Sequence, residues 1–171
     1  MAARSRTSRT GTAPAATAAT PLRQPTAAAG GPISHAIFRV ARLHRMLAGS
    51  LLRPTGLYPG QELVMMHLWD RGAQRQTDLI KVLDSDAATM TRTIQRLERA
   101  GFVRRRPDPS DARAALIEPT PASQHLRAEI ENIWRQLESL TLGSLTDAQQ
   151  QTTLSTLEEL ERNLLENTSE P

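Results

Sequence analysis

From residue 33 the apolar positions fall at Ile33, Ile37, Val40, Leu47 and Leu51, with His44 on the same line, in steps of four and three. That spacing is one stripe of a long helix over about 33–53, closed by Pro54 and Gly56, and it places His44 as a core histidine. A second helix is predicted from Pro59, with Leu63, Met66 and Leu68 before "DRG" breaks the pattern. Thr77 is placed as the N-cap of a short helix carrying Leu79, Ile80 and Leu83, and Asp86 as the cap of the next, Ala87 to about Arg99, which stops at Gly101. Two short helices joined by a tight turn make a helix-turn-helix. Phe102–Arg106 and Ala114–Glu118 then read as two strands of a hairpin whose turn is Pro107, Asp108, Pro109 and Ser110. Beyond Pro121, Leu126, Ile130, Ile133, Leu137 and Leu140 form a seam on a helix ending near Gly143. Thr146 with Gln149 makes a capping box for a last helix striped by Leu154, Leu157, Leu160 and Leu164.

The expected fold is therefore mainly α (α+β), a helix-turn-helix lobe with a two-stranded wing plus a helical dimerisation region. A hairpin and two short helices cannot cover all three long stripes, so the helices at about 33–53, 121–142 and 146–166 are expected to share a core with a second copy. Packing within one chain is the alternative.

At 171 residues the chain suits one domain, taken as 33–167 with its lobe at about 57–118. Residues 1–32, rich in Ala, Thr and Pro with four arginines and no acid, are expected to be a disordered arm. An organelle transit peptide shares that composition, but no amphipathic helix is evident there. Charge is uneven: residues 71–113 carry +4 and residues 114–171 carry −7, so a middle segment suited to an anion precedes an acidic end. With zero cysteines, disulfides and thiolate chemistry are excluded. No apolar run is long enough to span a bilayer, so no membrane is expected and a cytoplasmic, nucleoid-associated protein is the default.

Placing residues at 100° along the helix from Ala87 turns Met90, Ile94 and Leu97 toward the core. Ala88, Arg92, Gln95, Arg96 and Arg99 then lie opposite, with Thr89 on the flank. Gln bonds adenine edges, Arg bonds guanine or phosphate, and Thr bonds a base or phosphate or touches a thymine methyl. A polar helix face is most often solvated; its place between a helix-turn signal and the basic "RRR" of residues 104–106 points to double-stranded DNA. On a strand Arg104 and Arg106 share one face and Arg105 takes the other, so the three cannot meet the same DNA. An enzyme is the competing class, but HExxH, a phosphate-cradling glycine loop and a Gly-x-Ser-x-Gly elbow are all missing, and no cofactor is expected. A helical interaction module that had lost DNA binding would lack Arg92, Arg96 and Arg113.

The order of "YPGQELVMMHLWDRG", "QTDLIKVLDSDAATMTRTIQRLERAGFVRR" and "PDPSDARAALIEPTPAS" resembles the MarR family of winged helix-turn-helix regulators, from Ile33 to about Leu165. The resemblance implies a homodimer, more often a repressor, binding successive major grooves of a pseudo-palindromic operator. It also implies that Arg113 enters the minor groove steadied by Asp111, and that a small-molecule effector, often a phenolic or aromatic anion, sits between lobe and dimerisation helices. Three positions depart from the family pattern: Ala88 stands for a Ser, Ala112 for an Arg, and Ser123 for a Gly. For the effector, His35, Arg39 and Arg42 share one face of the first helix, with Tyr58 at the entry to the second. A solvated basic face is the competing reading. His67, His125 and Trp69 show no partner that spacing identifies.

Overall fold

The computed structural model describes residues 23–168, and the expectation for the arm falls largely outside them. The chain divides into two compact units, one reaching Val40 and one beginning at Ala41. The first holds a 3₁₀ turn at Thr26–Ala28 and the start of helix α1 (Pro32–Leu52). Its Ile33, Ile37 and Val40 are 40–62% exposed, so this part of the predicted stripe is present but uncovered.

In the second unit follow α2 (Gln61–Arg71), β1 (Gln74–Arg75), α3 (Gln76–Val82), α4 (Ala87–Arg99), β2 (Val103–Asp108), β3 (Asp111–Pro119), α5 (Ser123–Leu142) and α6 (Asp147–Thr168). Three strands make one antiparallel sheet in the order β1-β3-β2. The core joins Val64, Met65 and Leu68 of α2, Leu79 of α3, Met90, Ile94 and Leu97 of α4, Val103 and Ile117 of the hairpin, and Leu126, Ile130 and Ile133 of α5. Local pattern and tertiary packing agree most closely on α4. Its apolar line at every third or fourth residue is buried, Asp86 Oδ1 accepts from Thr89 N at 2.8 Å, and Gly101 at φ +77° ends it.

Several expectations are corrected. Helix α2 begins at Gln61 rather than Pro59, because Gly60 turns left-handed and the Gln61 and Glu62 side chains accept from Tyr58 N and Gly60 N. Its buried face is Val64, Met65 and Leu68, which leaves Leu63 outside. Thr77 is not a cap: Arg75 is held extended by pairing with Leu116 and takes the N-cap position, so α3 starts two residues earlier than predicted, at Gln76. The strands run further than predicted, and the hairpin turns at Asp108–Asp111 instead of Pro107–Ser110. His44 is exposed rather than buried.

The α5 seam is largely satisfied within the chain, where Leu126, Ile130, Ile133 and Leu137 are buried and Leu140 is not. Helix α6 is the opposite case. It buries no residue, although Thr146 and Gln149 form the predicted capping box.

Candidate nucleic-acid interface

The outward face of α4 carries Ala88, Thr89, Arg92, Gln95, Arg96 and Arg99, all exposed. Within it, Arg92 Nη2 donates to Thr89 Oγ1 at 2.9 Å and Arg99 Nε donates to Gln95 O at 3.2 Å. The Arg96 guanidinium lies over the Tyr58 ring, 5.5 Å from its centroid, so Tyr58 borders this face. Thr89 also bonds the Asp86 carboxylate, first through its hydroxyl and then through its N–H, and this pushes the carboxyl below its ordinary range. Asp86 therefore remains ionised at the helix N-terminus, where the macrodipole favours a negative charge.

Carboxylates sort the hairpin arginines. Arg104 and Arg106 both reach Glu118 on β3, Arg104 Nε to Oε1 at 2.5 Å and Arg106 Nε to Oε2 at 2.6 Å. Arg105 turns the other way, to Glu98 at 3.5 Å. The alternation argued from strand geometry is thus present, and Glu118 neutralises part of the charge on the face that Arg104 and Arg106 share. Its own carboxyl is lowered, chiefly by the Arg104 hydrogen bond. Arg113 is exposed and, among the described residues, has no carboxylate partner. Asp111 Oδ1 accepts from Arg113 N at 3.0 Å, so it steadies the strand that carries Arg113 rather than the guanidinium.

Between α2 and α5 opens a cleft of about 650 Å³ whose lining joins Met66, Trp69, Ile130, Trp134 and Leu142 with the arginines Arg127 and Arg135 and the acids Asp70, Glu131 and Glu138. Arg127 is held by Asp70 and Glu131, each at 3.2 Å. Trp69 Nε1 donates to Ser123 Oγ at 3.0 Å, and Ser123 donates on to Thr120 O at 2.7 Å. Thr120 Oγ1 in turn donates to Gly101 O at 2.6 Å, just past the end of α4. Sequence spacing misses this chain because its members lie up to 54 positions apart. Of the residues predicted for an effector, neither Tyr58 nor Arg42 lines the cleft. Arg42 donates from Nη1 to Met46 Sδ at 3.4 Å, and its buried Nε has no hydrogen-bond partner. His35 and Arg39 belong to the first unit and are half-buried. No group of three or more His, Asp or Glu among the described residues is placed to hold a metal ion.

Residues 57–115 match the sequence profile of the MarR family. Over 113 residues the chain is 34% identical to an uncharacterised HTH-type transcriptional regulator of Bacillus subtilis, YwoH, covering 66% of this chain and 82% of that one. The chain belongs to the MarR family. Its fold agrees: BpsR of Bordetella bronchiseptica, in a structure concerning regulation of its DNA binding by 6-hydroxynicotinic acid, superposes with a TM-score of 0.71 at 25% identity, over 77% of this chain and 94% of that one. A mutant of MarR from E. coli complexed with operator DNA superposes with a TM-score of 0.69, also at 25% identity, over 83% and 99%. The protein is a winged-helix transcriptional regulator of the MarR family, and no helix among its described residues is long and apolar enough to cross a membrane.

Proposed function

We propose that this MarR-family regulator binds an inverted-repeat operator as a homodimer, with α4 in the major groove and Arg113 in the minor groove of each half-site. The observation that carries the reading is the division of α4. Met90, Ile94 and Leu97 are buried, whereas Thr89, Arg92, Gln95 and Arg96 stand exposed on a helix whose entry is capped and whose exit leads into the wing. The shared fold of the MarR complex with operator DNA supports it. Uncovered apolar faces on α1 and α6 support the dimer, since a 22-residue helix with no buried residue gains little stability alone. A dimer seated on its operator acts most simply as a repressor, by occupying the DNA.

The cleft between α2 and α5 is the proposed effector site. Its volume suits a small molecule, its two tryptophans suit a flat aromatic ring, and Arg135, which has no carboxylate partner among the described residues, suits an acidic substituent, whereas Arg127 is already held by Asp70 and Glu131. In the structural neighbour BpsR, DNA binding is regulated by 6-hydroxynicotinic acid, a small aromatic acid of that kind. Fluorescence anisotropy with a labelled duplex from upstream of the coding region tests the DNA reading against a scrambled duplex of equal length. Tighter, salt-sensitive binding of the natural duplex is the expected result, and equal affinity for the two contradicts it. Quenching of tryptophan emission by 6-hydroxynicotinate, abolished in Arg135→Ala, tests the cleft.

A further inference from the structure

Strand β1 is only two residues long, and its second residue, Arg75, reaches beyond the strand it pairs with. Its backbone faces Leu116 on β3, while its guanidinium extends to the end of β2. Nε lies 2.7 Å and Nη2 2.6 Å from Asp108 Oδ2, and Nη2 lies 3.3 Å from Ser110 Oγ. The other oxygen of Asp108 accepts from Ser110 N at 2.8 Å and Ser110 Oγ at 2.7 Å. The Asp108 side chain is 6% exposed, although it stands at the tip of a hairpin. Asp108 is thus held from both sides, by the turn it caps and by the strand that opens α3.

Strand pairing alone does not orient this tip. The register breaks between Pro107 and Asp108, and Pro107 brings no N–H to the ladder. A hairpin end without a regular ladder takes its direction from side chains. Arg75 supplies that link and joins the wing to the helix-turn-helix within one protomer. Just beyond the tip, on the same strand as Asp111, lies Arg113.

We propose that Arg75 is a positioning residue for DNA binding: by clasping Asp108 and Ser110 it fixes the wing tip so that Arg113 meets the minor groove. Arg75 does this without touching DNA, its Nε and Nη2 being turned to Asp108 and Ser110. The inference rests on the proposed minor-groove role of Arg113.

The test is a double-mutant cycle read by anisotropy on the upstream duplex, with the intact dimer. Arg75→Gln, Asp108→Asn and Arg75→Lys are each made alone and with Arg113→Ala, and thermal unfolding is recorded for all. Arg113→Ala is expected to weaken binding by about thirtyfold or more, as for loss of one good contact in each of two half-sites. Arg75→Gln and Asp108→Asn are expected to weaken it by comparable factors, Arg75→Lys by less, and none of them is expected to weaken the Arg113→Ala protein further. A direct phosphate contact by Arg75, or a merely destabilising change, gives losses that add to Arg113→Ala and overturns the inference. So does a loss in Arg75→Gln with none in Asp108→Asn, since the clasp has two ends. A loss in Arg113→Ala with none in Arg75→Gln sinks the clasp alone. No loss in Arg113→Ala sinks the minor-groove reading and the clasp with it. Should Arg75→Gln fail to fold, Asp108→Asn and Arg75→Lys complete the cycle, because the amide still accepts from Ser110 N and the ammonium still pairs with Asp108.

Discussion

Replacing Leu157 and Leu164 together by Glu bears directly on why α6 is a helix at all. In the single chain Leu154, Leu157, Leu164 and Leu165 remain 52–59% exposed, and nothing on α6 is buried. Full burial of a leucine is worth about 1.5–3 kcal/mol, so covering the exposed half of each yields roughly 0.8–1.5 kcal/mol. Four such positions on each of two protomers supply about 6–12 kcal/mol, against an association cost of about 4–15 kcal/mol. Two substitutions on each chain remove about half of that gain and add charges that an apolar interface must desolvate. The dimer constant should weaken by at least about a hundredfold. Sedimentation equilibrium at micromolar concentration should then show a monomer where the wild-type protein is a dimer, and circular dichroism at 222 nm should fall as α6 frays. A variant that remains dimeric with wild-type helicity would refute the claim that α6 is stabilised by a second copy.

Ile94→Ala, at a fully buried position of α4, should destabilise the lobe by about 2–5 kcal/mol in urea unfolding. An unchanged midpoint would mean that α4 is not anchored through this face. Ser123→Ala leaves the Trp69 indole N–H without its acceptor and Thr120 O without one donor, at a cost of about 1–3 kcal/mol, and should shift Trp69 emission. Two carboxyls give opposite pH dependences. Asp108 is held down to about 2 by the Ser110 hydroxyl, the Ser110 N–H and Arg75, so its stabilisation is complete above the unfolded carboxylate range and is lost as pH falls toward 2. Asp108→Asn should accordingly flatten acid unfolding between about pH 4 and 2. Glu62, 5% exposed, is pushed up by burial, so its ionised form opposes folding at neutral pH and protonation relieves the penalty. Glu62→Gln should raise the melting temperature at pH 7 and leave it unchanged at a pH where Glu62 is already protonated; a lower value at pH 7 contradicts this.

Legibility in the sequence follows the range of the forces involved. Helix α4 is readable because its cap, apolar period and terminating glycine all lie within sixteen consecutive positions, Asp86 to Gly101. Helix α6 is readable by its stripe and capping box, and its lack of buried residues fits the shared core argued from surplus apolar surface. On α5 the seam is partly covered within the chain, where Leu126, Ile130 and Ile133 join the core formed with α2 and the hairpin, while Leu140 stays exposed. Strand β1 leaves no local signature: "QR" has neither alternation nor β-branching, and it is extended only because β3 pairs with it some forty residues later. That missing strand displaces the predicted start of α3 and hides Arg75. The arginine run is visible as charge, but its division between Glu118 and Glu98 depends on strand register and on the end of α4. The wing residue left without a carboxylate, Arg113, is the one that the family resemblance singles out.

The salt dependence of binding to the upstream duplex tests the central claim most directly. Arg92, Arg96, Arg99 and Arg113 of each lobe have no carboxylate partner among the described residues, whereas Arg104, Arg105 and Arg106 do. If half of the unpaired ones meet phosphate, a dimer neutralises about four phosphates, and log K should fall against log salt with a slope of about −3.6. The predicted result is a slope near this value, one dimer per inverted repeat, and a shallower slope in Arg92→Ala/Arg113→Ala. A slope near zero, or one that those substitutions leave unchanged, would contradict the account.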